Sequence, residues 1–129
     1  MEGVIVTKEQ KFYQWFRDQC SGMDVMRVEN TTMGGVPDVN ICSHGQEIWV
    51  ELKVYVGGRV LIRPDQFAWG HRRAFHKGNC FIVAYHPAAV HVWKFPHIVT
   101  IPRGKYLSVT TKPFVVQSGE ALINFLFTR

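Results

Sequence analysis

The sequence predicts a mixed α/β (α+β) fold in which helices pack on a mixed β-sheet. Two observations carry this. Ser43-His44-Gly45, flanked by apolar residues in alternation, is a β-hairpin signal, and a helical stretch opening at Pro64 leads into the near-continuous apolar run Cys80-Phe81-Ile82-Val83-Ala84-Tyr85. A hairpin makes an antiparallel pair and a helical crossover a parallel one, so a chain with both builds a mixed sheet. With 129 residues, 47% of them apolar and 19% charged, the chain fits a single domain, residues 1–129, with a sizeable core. Disordered and collagen-like architectures are excluded by the same composition.

The elements follow in order. Thr7-Lys8-Glu9-Gln10 reads as a capping box, which starts a helix; Phe12, Phe16 and Cys20 then recur every four residues with Tyr13 and Trp15 beside them, and Ser21-Gly22 ends it. Glu9 lies one turn before Phe12 and Tyr13 on the same face. Two readings of it stand: an acid turned inward for a function, or a helix N-terminal acid favoured by the macrodipole. Val25-Met26-Arg27-Val28-Glu29 is a short strand, followed by the turn-rich Asn30-Thr31-Thr32-Met33-Gly34-Gly35. Val36–Cys42 and Gln46–Val56 are the hairpin arms. Strand parity places Ile48, Val50, Leu52, Val54 and Val56 on one face, and Glu47, Trp49, Glu51, Lys53 and Tyr55 on the other.

Gly57-Gly58 breaks the strand, and Pro64 opens a helix running to Gly78-Asn79, with Gln66 in its first turn. Gln66, Gly70, Arg73 and Lys77 share one stripe of it, expected to meet an anion; Phe67, His71, Ala74 and Phe75 share the next. After the buried strand at 80–85, Val90-His91-Val92-Trp93-Lys94-Phe95 alternates as a further strand. Residues 102–113 read as the loosest region, and Ser118-Gly119-Glu120 begins a last helix to about Phe125. The apolar Phe125-Leu126-Phe127 run suits either a core helix or an interface.

Cys20, Cys42 and Cys80 are odd in number and lack C-x-x-C spacing, so they read as reduced core thiols. The six histidines lack metal-ligand spacing, and scattered surface or core histidines are the better reading over zinc. No apolar run is long enough to span a bilayer and the start lacks a signal-peptide pattern, so no membrane association and a cytoplasmic location are expected. The charge is unevenly divided: residues 1–58 balance at −3 and residues 59–129 at +8. A basic half suits a polyanion, and an acidic half suits solvation or a divalent cation that could meet that polyanion.

Asp38 opens one hairpin arm, and Glu51 and Lys53 stand on the other. Pairing through the His44-Gly45 turn brings Asp38 toward Glu51 and Lys53, so two carboxylates and an amine converge. Hard oxygen ligands of this kind suit Mg²⁺ or Mn²⁺, which keep waters and take phosphate oxygens as further ligands. A lysine beside such a metal can orient or help deprotonate an attacking water. A surface salt-bridge array is the alternative that spacing leaves open.

Gly35-Val36-Pro37-Asp38, Val50-Glu51-Leu52-Lys53 and Arg63-Pro64-Asp65-Gln66 together resemble the PD-(D/E)XK nuclease superfamily, and within it the VRR-Nuc domains and the archaeal-type Holliday junction resolvases. The resemblance covers about the first two-thirds of the chain. It implies a restriction-endonuclease-like αβββαβ core over about residues 7–86, and a C-terminal elaboration over about 87–129 with an extra strand and a helix. It implies Mg²⁺ (or Mn²⁺ as substitute) on Asp38, Glu51 and the Leu52 carbonyl, Lys53 as catalytic lysine, and Gln66 contacting or orienting phosphate or water. Glu9 would match the first-helix acid that supports the metal, with Glu29 competing. It further implies DNA cleavage to a 5′-phosphate and a 3′-hydroxyl at a four-way junction, fork or flap. A homodimer would place two sites on one junction. Arg59, Arg63, Arg72, Arg73 and Lys77 are the candidate phosphate contacts. The compact form suggests a phage or mobile-element enzyme of recombination, repair or replication. A monomeric flap or fork nickase, a restriction-type nuclease and a non-catalytic DNA-binding module remain as alternatives.

Overall fold

The computed structural model describes residues 7–29 and 34–128. In chain order the elements are α1 (Lys8–Gln19), β1 (Asp24–Arg27), β2 (Val39–Ser43), β3 (Gln46–Val54), β4 (Leu61–Ile62), α2 (Pro64–Phe75), β5 (Cys80–His86), β6 (Ala89–Lys94), β7 (Thr100–Arg103), β8 (Tyr106–Val109), β9 (Phe114–Val116) and α3 (Gly119–Leu126). A six-stranded sheet runs β1-β2-β3-β5-β6-β9, and a three-stranded sheet runs β4-β8-β7. The large sheet is mixed: β3 and β5 are parallel across the α2 crossover, and every other pair in it is antiparallel.

Local chemistry explains the elements that matter for the site. Thr7 accepts the Gln10 amide and the Gln10 side chain returns to the Thr7 amide, so the capping box starts α1 as expected. His44 and Gly45 both take positive φ (51° and 76°), the requirement of a two-residue hairpin turn whose twist suits the flanking strands. That turn sets Ser43 opposite Gln46 and Val39 opposite Val50.

The sheet separates two cores. On one face Phe12 and Phe16 of α1 and Leu122 and Leu126 of α3 bury against Ile41, Ile48, Val50, Phe81 and Val83. On the other face Trp69 of α2 packs with Val60, Ile62, Ile82, Trp93 and Phe95. The alternation in β3 is therefore realised, with Ile48 and Val50 towards α1 and Trp49 towards α2. Cys20 and Cys80 are buried and Cys42 half-buried, all as free thiols; burial pushes Cys20 up to about 11 and Cys80 to about 12.

Several expectations are corrected. Residues 102–113 are not loose: they hold the end of β7, the Gly104 turn and β8, and β9 follows at once. These strands are short, and Pro102 sits in β7, which is tolerated because β7 is an edge strand. Trp93 Nε1 donates to the Thr111 carbonyl at 2.6 Å, which ties this segment to β6. The C-terminal elaboration thus has more strands than the single one expected. The second helix stops at Phe75, so Lys77 lies beyond it with φ of 67°. Gln66 and Gly70 of the stripe face protein, whereas Arg73 is exposed: Gly70 lies under the Phe95 ring, where a Cβ would fall about 2.5 Å from the ring atoms. Asn30 to Met33 of the expected turn lie outside the described residues. No helix among the described residues is long and apolar enough to cross a membrane.

Candidate active site

The hairpin register that pairs Val39 with Val50 sets Asp38 beside Glu51, one step further along the ladder. Asp38 Oδ2 accepts the Leu52 backbone N–H at 3.1 Å, which fixes the carboxylate against β3. The approach to Asp38 is fixed by Gly35, whose φ of 88° favours glycine and whose Cα packs so tightly on the Asp65 carbonyl of α2 that no Cβ fits. The glycine turn, the start of α2 and the middle of β3 thereby meet.

Glu51 is 5% exposed and Gln66 7% exposed, and they meet at the bottom of a cleft of about 500 Å³. Gln66 Nε2 donates to Glu51 Oε2 at 3.0 Å, and Lys53 Nζ lies 3.5 Å from the same oxygen. The Gln66 Oε1 atom accepts from Lys53 Nζ at 3.2 Å and from the Arg63 backbone N–H, the N-cap of α2, at 2.9 Å. Its carboxamide is therefore engaged by protein groups on both ends.

Burial, reinforced by the Asp38 carboxylate, pushes Glu51 up to about 8 against the opposing pull of Lys53. The other Glu51 oxygen, Oε1, is buried and has no hydrogen-bond partner among the described residues. A buried carboxylate oxygen without a donor, facing a second carboxylate, is the electrostatic setting that a cation would relieve. The donor set of Asp38, Glu51 and a neighbouring backbone carbonyl is hard oxygen, as Mg²⁺ or Mn²⁺ requires.

Asp38, Glu51, Leu52, Lys53, Gln66, Arg63 and Glu9 all line this cleft, whereas Glu29 is exposed and is not among its lining residues. The five candidate phosphate contacts are dispersed. Arg63 is at the cleft, held to Asp65 at 3.1 Å; Arg59 donates to Ser108 Oγ at 3.2 Å. Arg72 and Arg73 lie near the other end of α2, where Arg73 sits over the Trp69 ring at 4.4 Å, and Lys77 follows beyond.

Among the cleft residues that the sequence does not single out for a function are Arg27, Tyr13 and Tyr106. Arg27 lies over the Tyr13 ring at 4.4 Å and pairs opposite Val39, next to Asp38. The alternation of the first strand, carried across a second antiparallel pairing, could have revealed Arg27; Tyr106 comes from the small sheet, for which the sequence carried no clear signal.

No family model matches the chain, and no curated protein matches it. Among solved structures the chain is similar to Hjc of Archaeoglobus fulgidus, a Holliday junction resolvase from an archaeal hyperthermophile. The TM-score is 0.60 and the identity 11%, over 91% of this chain and 97% of that one. At that identity the likeness concerns architecture, and with the mixed sheet flanked by helices it establishes a restriction-endonuclease-like fold.

Proposed function

We propose that this chain is a divalent-metal-dependent DNA endonuclease that hydrolyses phosphodiester bonds in branched DNA, as a Holliday junction resolvase. The observation that carries the reading is the convergence of Asp38, Glu51, Lys53 and Gln66 in one cleft with a buried, donor-less Glu51 oxygen. The architecture shared with a resolvase supports it. A salt-bridge array would have no reason to bury Glu51 beside a second acid.

Asp38, Glu51 and the Leu52 carbonyl would hold Mg²⁺ or Mn²⁺, with Glu9 as the further acid on the facing helix. When bound, the ion supplies charge neutralisation at the phosphate and a lowered pKa for the attacking water. Lys53, held by Gln66 and Glu51, orients that water and helps take its proton. Attack on phosphorus breaks the P–O3′ bond, leaving a 5′-phosphate and a 3′-hydroxyl. Gln66 acts as a positioning residue, since its carboxamide holds both Glu51 and Lys53. Arg63 and Arg27 at the cleft wall supply phosphate contacts. One cleft cuts one strand, so symmetric resolution calls for a homodimer.

The test is cleavage of labelled four-way junction, fork, flap, linear duplex and single-stranded DNA with Mg²⁺ or Mn²⁺. Symmetric junction nicks, lost with Glu51→Gln, Lys53→Ala or chelator, are expected. Absence of metal-dependent cleavage on every substrate would overturn the reading. A second reading, a fork or flap nickase, is favoured by one observation, an aromatic groove adjoining the cleft.

A further inference from the structure

Helix α1 separates the cleft from a second groove of about 630 Å³, lined by Lys8, Lys11, Trp15, Tyr85 and His86 among others. At about 100° per residue, the helix divides into three faces. Glu9 and Tyr13 look into the cleft, Phe12 and Phe16 bury towards the sheet, and Lys8, Lys11 and Trp15 line the groove. Phe12 lines both depressions, so they meet across a single ring.

We propose that this groove receives an unpaired DNA strand leaving the branch point, so that the substrates include branched DNAs carrying a single-stranded arm; the inference rests on the nuclease reading above. Two observations argue for a single strand. The first is a set of fixed aromatic faces. Trp15 stacks on Phe12 with centroids 5.9 Å apart and planes 9° from parallel, while Tyr85, 43% exposed, meets the same ring edge-on at 5.8 Å. Unpaired bases stack on such rings whatever their sequence, whereas bases in a duplex are already stacked.

The second is charge. Lys8 and Lys11 are exposed, neither pairs with an acid among the described residues, and none of the described residues lining the groove is acidic. The cleft next to it holds three carboxylates, so the backbone of a departing strand passes from the acidic side of α1 to its basic side.

The experiment is fluorescence anisotropy in EDTA, where binding is separated from cleavage, with a fork bearing an unpaired thymidine arm and a blunt duplex of equal length. The wild-type protein is expected to prefer the fork by about tenfold or more, the effect of a stacking face plus two cations. Lys8→Glu/Lys11→Glu, at exposed positions, and Trp15→Ala are expected to abolish that preference and leave duplex affinity and cleavage of a fully paired four-way junction unchanged. Trp15→Phe should restore most of it. A wild-type protein without arm preference, or a preference that survives the double lysine variant, overturns the proposal; in that case the groove serves a peptide or nothing. Robust metal-dependent cleavage alongside such a result defeats the groove alone, whereas arm binding that responds to the variants without any cleavage defeats the nuclease reading alone.

Discussion

Gln66 donates to Glu51 Oε2 at 3.0 Å while its carboxamide oxygen accepts the N-cap amide of α2. One buried side chain thus begins a helix and fixes the acid at the base of the cleft.

Replacing it should therefore injure both. Gln66→Ala is expected to destabilise the protein by about 1–3 kcal/mol, since it leaves the Glu51 oxygen and the Arg63 amide without their partner. Cleavage should fall at least about tenfold, in kcat more than in KM, because Lys53 loses its restraint. Urea unfolding and steady-state kinetics on one preparation check the two effects together.

Asp38→Asn separates charge from structure. The amide oxygen still accepts from Leu52 N–H, so unfolding free energy should stay within about 1 kcal/mol of the wild type. Mn²⁺ affinity by calorimetry, and cleavage, should drop by about a hundredfold or more. A protein that binds Mn²⁺ equally well after this change would remove Asp38 from the metal site.

Glu51 gives the metal-free protein a pH dependence of definite sign. Its carboxyl stays protonated in the folded state up to about 8, against an ordinary 4.5, so between these values the folded state holds more protons than the unfolded one. Metal-free stability should then decline as pH rises through that window, with a slope of at most about 1.4 kcal/mol per pH unit. Glu51→Gln should flatten the decline, and added Mg²⁺ or Mn²⁺ should raise the melting temperature more at pH 8 than at pH 5. Thermal melts across pH, with and without metal, provide the measurement.

Gly35→Ala should cost about 1–3 kcal/mol, because the left-handed backbone is strained for alanine and the added methyl collides with the Asp65 carbonyl. Activity should fall with it, as the segment leading to Asp38 is pushed off α2. Denaturant melts paired with junction cleavage would reveal whether both move.

Salt dependence of DNA binding should sort the basic residues. Arg63→Ala and Arg27→Ala, at the cleft, should each lower the slope of log K against log salt by about one. Arg73→Ala should leave the slope nearly intact, since its guanidinium lies over Trp69 and Trp49, and should appear in stability instead.

The hairpin was legible because its information is local: a two-residue turn and alternation determine which residues of β3 share a face, and the meeting of Asp38 with Glu51 and Lys53 follows by counting. The capping box at Thr7 was legible for the same reason. The small sheet was not, because β4 has only two residues and pairs with β8, distant in sequence, and β7 contains a proline. Nor could helical spacing tell which stripe of α2 faces the sheet: only in three dimensions do Gln66 and Gly70 turn inward while exposed Arg73 lies over Trp49 and Trp69. Gln66 was found, but its hydrogen bonds to α2, β3 and Lys53 exist only in three dimensions.

The two residues His44 and Gly45 have a consequence far from where they sit. The offset between Asp38 and Glu51 is counted from that turn, so a slip of one residue in β2 against β3 would rotate Asp38 to the wrong side of the sheet and leave Glu51 without its neighbour. Cutting power would then be absent from any misaligned form of the chain. On the nuclease reading, catalytic competence would amount to a parity check on correct folding, and half-made molecules would be harmless to the DNA around them.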